Sequence, residues 1–235
     1  MANTAFIYPG QASQYVGMGK DLVENSPKAR EIFEKANEIM GCDLMNIAFE
    51  GPEDELRQTM YTQPAIFVHS VIVTELLGDK PAATAGHSLG EYSALVAAGA
   101  LTFEDGLRLV KKRGELMQES GTRSPGTMAA VIGAEDAVIN EVCDAVSKDH
   151  VIQPANFNSP GQVVIAGNTG AVQRATQLAK ERGAKRAVQL PVSVPSHCGL
   201  MGSAAEALAE ALAGIPVRPP ATEVIHNVDA ASHAE

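Results

Sequence analysis

The stretch AATAGHSLGEYSALVAAGAL, residues 82–101, decides the fold. Its opening, Ala82-Ala83-Thr84-Ala85-Gly86, reads as a strand of small side chains, and Glu91 to Ala98 reads as a helix rich in Ala and Leu. Between them Gly86-His87-Ser88-Leu89-Gly90 fits the G-x-S-x-G pattern, in which a serine sits on a strand-to-helix turn too tight for side chains on its flanks. A serine that merely capped a helix would not need glycine on both sides. Ser88 is therefore the candidate nucleophile.

Toward the N-terminus, TAFIYPG reads as a short buried strand stopped by Pro9-Gly10. Pro27 then opens a helical pattern through Ile32, Phe33, Ala36 and Ile39, and a second helical stretch covers Gln63 to Leu77. This alternation predicts an α/β fold, a parallel sheet with helices on both faces. Toward the C-terminus the breaker Ser124-Pro125-Gly126 precedes TMAAVIG, AEDAVINEVCDAV, VIQPANFN, VVIAG, AVQRATQLAKERG and AVQLPV. Their order, β-α-β-β-α-β, predicts a small ferredoxin-like subdomain inserted over 126–190. The main domain, 1–125 and 191–235, resumes with VSVPSHC, a helix from about Gly199 to Ala213 and a last strand EVIHNV.

A chain of 235 residues, 45% hydrophobic, can bury a substantial core. No apolar run approaches the ~18 residues of a membrane span, and the N-terminus lacks the features of an export signal, so a soluble cytoplasmic protein is expected. The net charge of −10 argues against general nucleic-acid binding, which needs clustered Lys and Arg against phosphates. Cys42, Cys143 and Cys198 lie far apart with no metal-ligand spacing, and reduced thiols are expected.

A serine nucleophile needs a base. Of six histidines, His197 follows Pro195-Ser196 at the start of a predicted helix, where the positive dipole end favours the neutral ring that a base requires. A structural role for His197 stands beside that reading. His87 adjoins the nucleophile and should point away from it, His69 falls in an apolar helix, and His150, His226 and His233 sit in polar, exposed surroundings. Laid on a helix at about 100° per residue, Phe103 to Glu119 places Phe103, Leu107, Leu109, Val110, Gly114, Leu116 and Met117 on one half. Arg113 alone among the charged residues joins them. An inward guanidinium needs an anion, because an unpaired buried charge costs several kcal/mol. Either an internal salt bridge or a substrate carboxylate, gripped by two hydrogen bonds, answers that need. The loop Pro9-Gly10-Gln11-Ala12-Ser13-Gln14 follows the first strand, where its amides could help to bind an oxyanion or simply make a turn.

Taken together these residues resemble the malonyl-CoA:acyl carrier protein transacylases and the acyltransferase domains of fatty-acid and polyketide synthases. The likeness runs through PGQASQYVGMG, TQPAI, AGHSLGEYSALVAAGAL, KRGELMQE, NFNSPGQVVIAG, PVSVPSHCGLM and NVDA, in the family's order. It implies an α/β-hydrolase-like core carrying the ferredoxin-like subdomain, a Ser88–His197 dyad, Arg113 on the malonyl carboxylate, and the backbone amides of Gln11 and Leu89 as the oxyanion hole. It also implies transfer of malonyl from coenzyme A to the phosphopantetheine thiol of acyl carrier protein through a malonyl-serine intermediate, with no metal or redox cofactor. A serine thioesterase or hydrolase is the alternative. The family usually has glycine where Ala12 stands, which matters if that position needs a positive φ. Family members also continue past NVDA into a stretch with a carbonyl that orients the catalytic histidine. On that ground the chain ending at Glu235 is expected to be unstable and catalytically impaired unless its own residues substitute.

Overall fold

The computed structural model describes residues 4–192 and 194–233. In chain order the elements are β1 (Ala5–Tyr8), α1 (Lys20–Asn25), α2 (Pro27–Met40), α3 (Leu44–Glu50), α4 (Glu53–Leu56), α5 (Thr59–Leu77), β2 (Ala83–Gly86), α6 (Gly90–Ala97) and α7 (Phe103–Arg123). There follow β3 (Gly126–Ile132), α8 (Asp136–Val146), β4 (Ile152–Ser159), β5 (Gln162–Asn168), α9 (Thr169–Glu181), β6 (Arg186–Gln189), α10 (Gly202–Ala213) and β7 (Glu223–Ile225). They form two compact units, one of Met1–Glu115 with Leu208–Glu235, the other of Leu116–Ala207. Among the described residues no helix is long and apolar enough to cross a membrane.

The first unit is built on a parallel sheet in the order β1-β2-β7, so the strand that leads into Ser88 is central. Its residues are small because both neighbours and α6 crowd it; Thr84 even hydrogen-bonds the Ala94 carbonyl of α6 at 3.3 Å. Helix α2 starts as its sequence dictates. Pro27 occupies the first turn, Ser26 Oγ accepts from the Ala29 N–H at 3.3 Å, and Gly41 closes the helix at φ 70°. Helix α5 is apolar and buried through its middle: Ala65, Ile66, Phe67, Val68 and Ile72 are at most 2% exposed. Phe33 of α2 and Leu107 and Val110 of α7 pack into the same core. Full burial of side chains of this size stabilises the fold by about 1.5–3 kcal/mol each.

In the second unit the sheet is antiparallel, in the order β4-β5-β3-β6. The two-residue period of its strands serves two apolar faces. Ala129, Val131, Val163 and Ile165 face Ile139 and Val142 of α8 and Val172 and Ala175 of α9. Met128, Val164 and Ala166 form the other face with Leu190, Val192 and Cys198, so the segment leading to His197 is fastened to that sheet. The β-α-β-β-α-β order is the one the sequence predicts. The last strand is shorter than predicted and ends at Ile225; His226 instead exchanges backbone hydrogen bonds with Ala230 and Ala231 in a turn.

Ser93, one turn into α6, is buried, and its hydroxyl has no hydrogen-bond partner among the described residues. A buried polar group left in that state is destabilising. Ser93→Ala keeps the volume and removes the cost, so it should raise stability by about 1 kcal/mol. This is read as a higher denaturant midpoint at unchanged slope; a lower midpoint would mean that the hydroxyl is satisfied.

Candidate active site

The turn after β2 is set by sterics. A Cβ on Gly86 would lie 1.9 Å from the carbonyl carbon of Gly90, and one on Gly90 would lie 2.3 Å from the Tyr8 carbonyl oxygen. Only glycine allows the chain to fold back this closely and to meet the end of β1. Ser88, at the apex, is driven to φ 52°, a left-handed conformation that costs a non-glycine residue about 1–2 kcal/mol. Among the contacts that hold it there, its N–H donates to Asn227 Oδ1 at 2.8 Å, and its Oγ accepts from Arg113 Nη2 at 2.9 Å. Leu89 is fully buried and anchors the start of α6. Among the described residues neither the Leu89 nor the Gln11 amide N–H donates a hydrogen bond.

Arg113 reaches this turn from the inward side of α7. Its Nη1 donates to Gln63 Oε1 at 2.7 Å, and its guanidinium carbon lies 6.0 Å from the centre of the Tyr92 ring. Of the two partners open to it from sequence, the internal one is missing: among the described residues no carboxylate forms an ion pair with Arg113. Burial pulls its pKa below the ordinary arginine value, opposed by Tyr92 and Glu91. Gln63 in turn donates to Gln11 Oε1 at 3.4 Å, and Gln11 Nε2 donates to Thr59 Oγ1 at 3.3 Å. One polar chain therefore joins Thr59, Gln11, Gln63, Arg113 and Ser88.

His197 belongs to the second unit. It lies in a turn between Pro195 and Cys198 at φ 59°, another left-handed residue. Cys198 Sγ donates to the Pro195 carbonyl at 3.1 Å, and the Gly199 N–H donates to Gln153 Oε1 at 2.7 Å, fixing the turn from both ends. The helix expected to start beside His197 opens differently in the structure. Helix α10 begins only at Gly202, after a single 3-10 turn over Gly199–Met201, so the helix dipole, which fades within one turn, is a weak influence on His197.

Gln63 and Asn227 were not singled out from sequence. The signal for Gln63 was a polar residue inside the apolar pattern of α5; Asn227 gave none beyond its place in NVDA. His226, expected to be exposed, is half-buried and its Nδ1 lies 2.8 Å from Glu91 Oε1, which ties the end of β7 to α6. The thiols offer no rival nucleophile. Burial pushes Cys143 up to about 12 and raises Cys42 and Cys198 as well, which keeps them protonated. Among the described residues no group of three or more His, Cys, Asp or Glu side chains is arranged to hold a metal ion.

The model of the acyl transferase domain family matches residues 5–235. The malonyl CoA-acyl carrier protein transacylase of Escherichia coli strain K12 is 49% identical over 233 residues, which cover 97% of this chain and 75% of the relative. The solved malonyl CoA-acyl carrier protein transacylase of Coxiella burnetii superposes with a TM-score of 0.95 at 46% identity, over 99% of this chain and 75% of that one. A malonyl-transacylase solved in complex with a type II polyketide-synthase acyl-carrier protein gives 0.95 at 44% identity, over 100% of this chain and 77% of that one.

Ala12 stands at φ 84° beside Gln11, in the conformation where glycine carries no Cβ penalty. Ala12→Gly removes strain of about 1–2 kcal/mol, offset by the extra freedom glycine gains in the unfolded chain. The expected net gain is about 0.5–1 kcal/mol, roughly 2 °C in melting temperature. A melting temperature that falls would show that the Ala12 methyl is needed.

Proposed function

Since this chain belongs to the acyl transferase domain family, matched over residues 5–235, we propose that it transfers a malonyl group from coenzyme A to acyl carrier protein, in fatty-acid or polyketide synthesis. The observation that carries the reading is the Arg113 guanidinium, 2.9 Å from Ser88 Oγ and without a carboxylate partner among the described residues. In a malonyl thioester one methylene separates the carboxylate from the carbonyl under attack. A cation one hydrogen bond from the nucleophile suits so short a dicarboxylic acyl group.

In this reading the Ser88 hydroxyl gives its proton to His197 and its oxygen attacks the thioester carbonyl. The amides of Gln11 and Leu89 stabilise the oxyanion, and their N–H groups are unengaged among the described residues, which supports the role. The intermediate collapses by breaking the carbon–sulfur bond; coenzyme A leaves with the proton from His197, and malonyl stays on Ser88 as an ester. The carrier protein's phosphopantetheine thiol then gives its proton to His197 and attacks the ester, and Ser88 recovers its proton as it leaves. We read the antiparallel sheet of the second unit as the ferredoxin-like subdomain, carrying the segment with His197. The chemistry calls on no metal or redox cofactor.

Arg113→Ala should cost malonyl transfer far more than acetyl transfer, because acetyl has no carboxylate to grip. A charge-assisted pair is worth about 1.5–3 kcal/mol, roughly ten- to a hundredfold in rate. Labelled malonyl-CoA and acetyl-CoA, each with and without carrier protein, provide the measurement. Equal losses for the two donors would remove Arg113 from substrate recognition. Malonate release that ignores the carrier would make the protein a hydrolase.

A further inference from the structure

Gln63 is fully buried on α5, and its carbonyl oxygen accepts from Arg113 Nη1 at 2.7 Å. A guanidinium can only donate, so the Gln63 carboxamide is oriented with oxygen toward Arg113 and nitrogen away from it. That nitrogen meets Gln11 Oε1 at 3.4 Å, which turns the Gln11 nitrogen toward Thr59. The direction of every bond in the chain follows from the one fixed cation.

The chemistry of the two acceptors matters as much as their geometry. Arg113 is held by a carboxamide oxygen and a hydroxyl oxygen, 2.7 and 2.9 Å away. Both fix the direction of the guanidinium; neither neutralises it. A glutamate of the same length at position 63 would form an ion pair with Arg113 and put a second acceptor against Gln11 Oε1. A leucine would leave the Arg113 donor unsatisfied and free to turn. We propose that Gln63 is a positioning residue whose neutrality reserves the Arg113 charge for the substrate carboxylate, and so sets the preference for malonyl over uncharged acyl groups.

This inference rests on the reading of Arg113 as the carboxylate grip, and its test separates the two. Formation of the acyl-enzyme is measured with malonyl-CoA and with acetyl-CoA for wild type, Gln63→Glu, Gln63→Leu and Arg113→Ala. Gln63→Glu should lower malonyl kcat/KM by about tenfold or more, chiefly through KM, and leave acetyl within roughly twofold. Gln63→Leu should also lose malonyl selectively, and it carries the test alone if the glutamate variant does not fold. A folded Gln63 variant that keeps the wild-type malonyl-to-acetyl ratio, or loses both donors in parallel, overturns the role while Arg113→Ala still collapses that ratio. If Arg113→Ala leaves the ratio intact as well, the reading of Arg113 fails first, and the role of Gln63 with it.

Discussion

The site depends on a steric constraint in the backbone. Gly86 and Gly90 touch each other and the end of β1 too closely to admit a Cβ, and the chain can make this turn only if Ser88 takes a left-handed conformation. The consequence is chemical: the hydroxyl is presented from the end of the central strand instead of being buried in it. The strain is balanced by the parallel pairing of β1, β2 and β7, by burial of Leu89, and by the Asn227 side chain on the Ser88 N–H. Among the described residues the left-handed non-glycine positions are Ala12, Ser88, His197 and Ala230. Three of these are, or adjoin, residues given catalytic roles, in keeping with the tendency of backbone strain to gather where function demands it.

The second organising feature is a buried cation that forms no ion pair with a carboxylate among the described residues. Burial opposes the charge on Arg113; among the described residues the fold answers with two neutral oxygens in hydrogen bonds, the face of Tyr92 and the nearby charge of Glu91, not with a carboxylate in an ion pair. An internal ion pair would have satisfied the guanidinium within the unit and, in the proposed reading, left it less available to a substrate carboxylate. Placement of Gln63 on the most buried helix of the unit gives Arg113 a rigid support.

Much of this was legible in the sequence, for identifiable reasons. The G-x-S-x-G turn announced itself because a serine seldom needs glycine on both sides unless the backbone around it is too crowded for a Cβ. Arg113 stood out because a helical wheel needs only local periodicity. The order of the antiparallel unit could be read because β3 and β5 are short apolar runs buried on both faces, set among amphipathic helices with clear breakers between them. What could not be read depended on distant partners. Arg113 and Gln63 are 50 positions apart, and Ser88 and Asn227 are 139 apart, so no local pattern joins them. The last strand is shorter than the expected EVIHNV for the same reason: His226 and Asn227 look like its continuation, but the His226 backbone bonds Ala230 and Ala231 and the two side chains are taken by Glu91 and Ser88. The short helices α1, α3 and α4 carried too little periodicity to be seen.

The central claim is that Ser88 is a nucleophile placed to accept a malonyl group. It is tested most directly by brief exposure of the protein to malonyl-CoA, followed by intact-mass measurement and peptide mapping. The account predicts a single malonyl adduct on the peptide that carries Ser88, and none on the Ser88→Ala variant. An adduct that survives in that variant, or a folded wild-type chain that never acquires one, would contradict it.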